Sequence, residues 1–275
     1  MALNNPRFQG NRDLQQVVSS NKYIRKGHSS DGLHYLQMAL LDAGYLMPRS
    51  TGGSGRSPDG VFGNETDGIV REFQRKNRLS DDGIIGPNTM RAMDRILPKY
   101  THRVALHFRS ISLTNAGFAK MLSEAQRIYR PYGLRVVFGS GESLNLTPQQ
   151  SSKFERIDTQ CNWDMSTGEY AELQELGSRV PVGGISVYFV KRMVGVVGCG
   201  GHIPGRPSCA VGSRAASIDV AHEVGHVLLT KNFSPVHHPH RRNIMHASTT
   251  PGVQNWLITD RQIRQMRLHS HCQSI

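Results

Sequence analysis

The segment Ala221-His-Glu-Val-Gly-His-Val-Leu-Leu229 constrains this chain more than any other. It is apolar enough to lie in a core, yet it carries two imidazoles and a carboxylate. On a helix, residues four apart project from one face, so His222 and His226 stand side by side. Val220, Val224, Val227 and Leu228 predict that the helix is buried. Unpaired polar groups are costly inside a core, by roughly 1–3 kcal/mol each. A metal ion held by both rings removes that cost. The spacing therefore predicts a helix over about residues 215–229 that binds one zinc ion, with Glu223 beside it as a general base toward water.

A catalytic zinc takes three protein ligands and keeps one position open, whereas a structural one is closed by four. The third ligand is expected downstream, in His237-His-Pro-His240-Arg-Arg-Asn-Ile-Met245-His246. Pro239 holds His238 in an extended conformation, in which neighbouring side chains point opposite ways. Only one of His237 and His238 can then face the helix. His237 is the expected ligand and His238 the runner-up, since His240 lies too close to Met245 to swing back.

The first third of the chain reads differently. Leu33, Leu36, Leu40 and Leu41 recur at helical spacing, with Asp31 as the expected cap and Gly44 as the stop. A Gly/Ser/Pro-rich loop comes next, over 48–58. A second helix carries Ile69, Val70 and Phe73, and a third spans about 88–96. Before these two helices one motif occurs twice: Asp59-Gly-Val-Phe-Gly-Asn-Glu-Thr66 and Asp82-Gly-Ile-Ile-Gly-Pro-Asn-Thr89. Each places Asp-Gly in a tight turn, where glycine supplies a positive φ, and each ends on a Thr expected to cap a helix.

These turns, with Leu36-Gln37, Gly44-Tyr45 and Phe73-Gln74, resemble the peptidoglycan-binding domain family over about residues 27–97. The resemblance implies a compact three-helix module and a wall-anchoring role, without identifying which residues touch the wall. The C-terminal segment resembles the metzincin zinc peptidases over about 102–272. There the His-Glu helix, a later histidine and Asn243-Ile-Met245 come in the family's order, Met245 standing for the methionine turn under the metal. The resemblance implies a zinc endopeptidase, and His237 lies eight residues before Met245, as in matrixin-like members. The chain departs from the pattern where the family has Gly and His, seven and ten residues after the first ligand; here stand Leu229 and Asn232. Lys231–Pro235 reads as an insertion before the third ligand. Matrixin propeptides resemble the same N-terminal module and inhibit through a cysteine, but no cysteine precedes Cys161.

The expected fold is α+β: an extension over 1–26, the helical module over 27–98 and a zincin-like domain over 99–275 with a mixed sheet and the active-site helix. Pro98 marks the boundary. Strands are expected at 103–113, 134–138, 185–190 and 209–212, and Val194–Val197 reads as another buried strand. Helices are expected at 115–130, 168–176 and from Thr259 to about 268.

No apolar run approaches the roughly 18 residues of a membrane span. The N-terminus lacks the apolar region of a secretory signal. A net charge of +12 suits an anionic partner, but no nucleic-acid motif accompanies it. The four cysteines form no C-x-x-C pair. Three pairings are open; the Gly/Pro-rich loop between Cys199 and Cys209 favours that closure, leaving Cys161 with Cys272, and four reduced thiols are the alternative. Disulfides would imply an oxidising compartment. His202 is expected at the surface; Tyr170 and Tyr188 are expected in packing rather than as oxyanion donors; Trp163 and Trp256 read as structural.

The expected function is zinc-dependent hydrolysis of peptide bonds at the cell wall, in the periplasm or outside the cell, with peptidoglycan and a peptide or protein as partners. Two alternatives are a wall-binding protein with a structural zinc and a toxin effector cutting peptidoglycan peptides or envelope proteins.

Overall fold

The computed structural model describes residues 2–51, 58–111, 117–158, 161, 167–248, 253 and 255–275. Trp163 and most of the Gly/Ser loop, 52–57, lie outside the described residues. Chain contacts divide the protein into two compact units. The first is Met1–Thr101 with Arg130–Leu134 and Ile258–Ile263; the second is His102–Tyr129, Arg135–Leu257 and Arg264–Ile275.

The first unit contains α1 (Arg12–Ser19), α2 (Asp31–Asp42), α3 (Asn64–Lys76) and α4 (Pro87–Ile96). Leu33, Leu36 and Leu40 of α2 share one core with Val70, Phe73, Ile85 and Met90. The segment expected as a mere extension supplies α1, whose Leu14, Val17 and Val18 enter that core. Asn11 caps α1, accepting from the Leu14 amide at 3.0 Å. Ser30, not Asp31, caps α2.

The repeated motif is built around two buried glutamines. Gln37 Nε2 faces Asp59 Oδ1 at 2.9 Å, Val61 O at 3.1 Å and Thr66 Oγ1 at 3.1 Å, while its Oε1 accepts from the Gly60 amide at 2.8 Å. Gln74 Nε2 faces Asp82 Oδ1 at 2.9 Å, Ile84 O at 3.0 Å and Thr89 Oγ1 at 3.1 Å, and its Oε1 accepts from Gly83 at 2.9 Å. Gly60 and Gly83 have φ of +67° and +73°, which glycine alone adopts without strain. Thr66 and Thr89 therefore do not cap their helices. They sit one turn in, tied to the glutamines, and Gly63 and Gly86 occupy the cap positions without a side-chain bond.

The second unit is organised by a mixed sheet of β1 (His102–Ser110), β2 (Leu134–Ser143), β3 (Gly184–Val190), β4 (Gly198–Cys199), β5 (Ser208–Gly212) and β6 (Gln273–Ser274). The order is β2-β1-β3-β5-β4, with β6 antiparallel to β1. β3 runs parallel to both β1 and β5, and β4 antiparallel to β5. Buried along its whole length, β3 needs a largely apolar run, and Ile185–Val190 provides it with Ser186 as its one hydroxyl-bearing aliphatic residue. The helices of this unit are α5 (Phe118–Tyr129), α6 (Pro148–Lys153), α7 (Glu169–Leu176) and α8 (Asp219–Leu229), and α9 (Asp260–Arg267) is divided between the two units at Ile263. The fold is thus α+β with a mixed sheet.

Val194–Val197 is not a strand. It is irregular chain, and Val196 and Val197 are 38% and 48% exposed. Helix α8 starts four residues later than the sequence predicts. The Ala216 amide donates to Asp219 Oδ2 at 2.7 Å, which keeps the chain in a turn until Asp219.

Candidate metal centre

Every residue of α8 is buried, including His222, Glu223 and His226. Tyr129 on α5 donates to Ala221 O at 2.7 Å and ties the helix down. Gly225 is required by a close contact: a Cβ there would collide with Met245 Sδ. Met245 is buried in a turn closed by the His246 amide donating to Asn243 O at 2.9 Å, and Asn243 Oδ1 accepts from the Met245 amide at 2.9 Å.

His222, His226 and His237 converge, with one nitrogen of each within 4.8 Å of the others. Their ring centroids are 4.6 Å (222–226), 5.0 Å (226–237) and 5.6 Å (222–237) apart. His222 Nδ1 lies 2.7 Å from Ile244 O. A carbonyl only accepts, so Nδ1 carries the proton and Nε2 turns a lone pair toward the cluster. His226 Nε2 is 3.0 Å from it. Burial pushes the pKa of all three rings down, that of His226 to about 2, and the neighbouring rings push His226 and His222 further the same way. Neutral imidazoles are the form that binds metal. Ligands about 2.0–2.1 Å from a tetrahedral ion stand about 3.3 Å apart, which suits this spacing. Among the described residues this is the one group of its kind.

His238 and His240 are turned to local backbone: His238 Nδ1 accepts from the His240 amide at 3.1 Å and His240 Nδ1 from that of Arg242 at 3.3 Å. His202 is half-buried with Nδ1 donating to Ile203 O. Tyr170 and Tyr188 are buried in an apolar cluster, and Trp256 is buried too.

Glu223 lies against the edge strand. A Cβ on Gly198 would come within 2.5 Å of Glu223 Oε1, and one on Gly200 would strike His226. Strand β4 and the residue that follows it can pass this close only because both positions are glycine. Sequence reasoning misses this role, although the run Gly198-Cys-Gly-Gly201 is the signal that carries it. Burial raises the Glu223 carboxyl well above the ordinary range, and the charge of Asp219 adds to it. These groups line a cleft of about 580 Å³ with Gly198, Asp219 and Val197.

The disulfide is Cys161–Cys199, with Cα atoms 5.4 Å apart, in place of the expected Cys199–Cys209 and Cys161–Cys272. Strand alternation is the reason. Cys199 is registered opposite Ala210, so Cys209 projects to the other face of the sheet. Cys209 and Cys272 are buried free thiols, and burial raises both, Cys272 to about 12.

Residues 29–93 match the family model described as “Putative peptidoglycan binding domain”. Two curated proteins of Bacillus licheniformis are similar: “Probable N-acetylmuramoyl-L-alanine amidase”, 35% identical over 79 residues, and N-acetylmuramoyl-L-alanine amidase CwlL, 33% identical over 82 residues. The matches cover 29% and 30% of this chain, and 21% of the length of each relative. A peptidoglycan-binding protein from Clostridioides difficile, solved with glutamine hydroxamate, is 37% identical and covers 29% of this chain and 44% of that one, with a TM-score of 0.24. Archaemetzincin from Methanopyrus kandleri covers 62% of this chain and 88% of its own at 11% identity, with a TM-score of 0.34. Among the described residues no helix is long and apolar enough to cross a membrane.

Proposed function

We propose that the protein is a zinc-dependent peptide-bond hydrolase of the metzincin type, held at the cell wall by its N-terminal module and working in the periplasm or outside the cell. The observation that carries the reading is the convergence of His222, His226 and His237 beside a buried carboxylate in an open cleft. The three neutral imidazoles would hold zinc and leave a side open to substrate, which distinguishes a catalytic centre from a structural one. Bound zinc supplies Lewis acidity, polarising a carbonyl and lowering the pKa of water. Glu223 takes a proton from the attacking water and delivers it to the departing amine. A cation on the histidines opposes the upward pKa shift that burial imposes on Glu223, so the carboxylate is available as a base. The Ile244 carbonyl fixes the His222 tautomer, and Met245 packs the floor under Gly225. The module matched at 29–93 would raise the local concentration of substrate at peptidoglycan.

The test is zinc per chain in purified full-length protein, together with digestion of casein and of purified peptidoglycan with and without a chelator. One zinc per chain and chelator-sensitive cleavage are expected, and His237→Ala should lose both while His238→Ala keeps them. Separation of the wall fragments tells cleavage inside the stem peptide from cleavage of its amide bond to the sugar. Full activity after zinc removal would end the proposal.

A further inference from the structure

The cleft around the histidines has a neighbour. A groove of about 910 Å³ shares Gly195, Val196 and Val197 with it, so the two adjoin at that lip. The lip is the segment expected as a strand, and its two valines stand exposed. The groove is basic: Lys153, Arg156, Lys191, Arg192 and Arg214 line it, against the carboxylates of Glu155 and Glu169.

The two lysines are already engaged. Lys191 pairs with Glu155, and Lys153 with Glu172. Glu169 accepts from the Asp158 amide at 2.8 Å. Among the described residues, no ion pair engages Arg156, Arg192 or Arg214, and all three are exposed. They come from three stretches of chain that backbone bonds hold together. The Ile157 amide donates to Arg192 O at 2.9 Å and that of Val194 to Ile157 O at 3.0 Å; on the other side the Gly212 amide donates to Val197 O at 2.8 Å and that of Ser213 to Lys191 O at 3.2 Å. The guanidinium groups are thus mounted on braced backbone rather than on a free loop, which lowers the cost of ordering them around a ligand.

We infer that this groove receives a carboxylate-bearing stretch of the substrate, so that the protein selects acidic peptides; the inference rests on the hydrolase reading above. A chain that runs from the groove to the histidines across the shared lip passes Val196 and Val197, so the favoured peptide carries an apolar residue over the lip and acidic residues beyond it. Guanidinium forks match planar carboxylates in two parallel bonds, which gives arginines at these three positions selectivity for Asp and Glu over their amides.

The experiment uses the full-length Glu223→Gln protein, loaded with zinc, and fluorescent peptides of one sequence whose outer residues are Glu, Gln or Lys. Anisotropy should show the Glu peptide bound about 10-fold more tightly than the Gln peptide at low salt, with the preference shrinking at high salt. The triple variant Arg156→Gln/Arg192→Gln/Arg214→Gln, made in the same background, should lose the preference while keeping its zinc and its melting temperature. Equal binding of the Glu and Gln peptides, or a preference that survives the triple variant, overturns the inference. So does tighter binding of a single-stranded oligonucleotide of matched charge that competes with the Glu peptide, because the groove then belongs to a nucleic acid. Binding is read without turnover: a wild-type protein that selects the acidic peptide but cuts nothing sinks the hydrolase reading and leaves the groove assignment standing.

Discussion

Gln37 and Gln74 in the helical module and the histidines of α8 are all buried polar groups, and they are treated in opposite ways. Each glutamine commits its amide to its own surroundings: Nε2 faces three acceptors and Oε1 takes a glycine amide, in two copies that agree within 0.1 Å wherever they correspond. The histidines do the reverse. His222 commits Nδ1 to Ile244 and leaves Nε2 facing His226 Nε2 at 3.0 Å. Saturated polar groups fix a turn, whereas convergent, depressed ones are poised for a ligand. Stability and chemistry are thus read from the same census of donors and acceptors, with opposite outcomes.

The largest effect should come from the second region. Glu223→Gln keeps the shape of the side chain but removes the carboxylate proposed as the base. Hydrolysis is expected to fall about 1,000-fold, with zinc content unchanged, since Glu223 lies outside the histidine cluster. Steady-state kinetics on a peptide found to be cut, with metal analysis of the same sample, decides it. Zinc lost along with activity would make Glu223 a ligand and remove the distinction between base and donor set.

In the first region, Gln74→Ala strands the Gly83 amide and takes a donor from Asp82, Ile84 and Thr89 at once. A cost of about 3 kcal/mol is expected, and Gln37→Ala should match it within about 1 kcal/mol because the geometry is repeated. Denaturant melts followed by circular dichroism measure this. Zinc content should not change; zinc lost on Gln74→Ala would mean that the two kinds of polar site are not energetically separate.

The sequence made these features legible unequally. Repeats and periodicity are local, so α2, α3, α4 and the paired turns stand out, and so does the apolar run that must fill a central parallel strand. The expectation of His237 rather than His238 beside α8 rests on alternation around Pro239, again a local constraint, and His237 is the one that converges with His222 and His226. What depends on register between distant segments was hidden. Cys199 and Cys209 are close in sequence and flank a short loop, but pairing of Cys199 with Ala210 sets Cys209 on the opposite face. Helix α1 is only eight residues long, and its apolar side finds its partners in α2 and, far along the chain, in α4. Val194–Val197 is apolar enough for a core, yet the turns around it leave its valines at the rim of two clefts.

The smallest expected effect lies where α8 ends. Leu229 stands where a helix-ending glycine would, so the sequence does not mark the end of this helix. The helix does stop at Leu229, and the next residue, Thr230, takes φ +65° and ψ 168° while its amide donates to His226 O at 3.1 Å. That region is nearly reserved for glycine, and a β-branched residue held there costs about 1–3 kcal/mol. The neighbouring chain must over-determine the conformation, and the Lys231–Val236 stretch just beyond Thr230 is the one that brings His237 back to His226. Thr230→Gly removes the strain but adds freedom to the unfolded chain, worth about 0.5–1 kcal/mol in the other direction. A net gain of about 1 kcal/mol is expected, or a rise in Tm of about 2–4 °C. Because the bond to His226 O comes from backbone, glycine can still make it, so zinc content and hydrolysis should stay within about 2-fold. Calorimetry and metal analysis read both. A fall in Tm would show that Thr230 is not strained where it stands, and zinc lost at higher Tm would show that the strain is what aims His237, placing stored energy in the second region where the glutamine turns hold none.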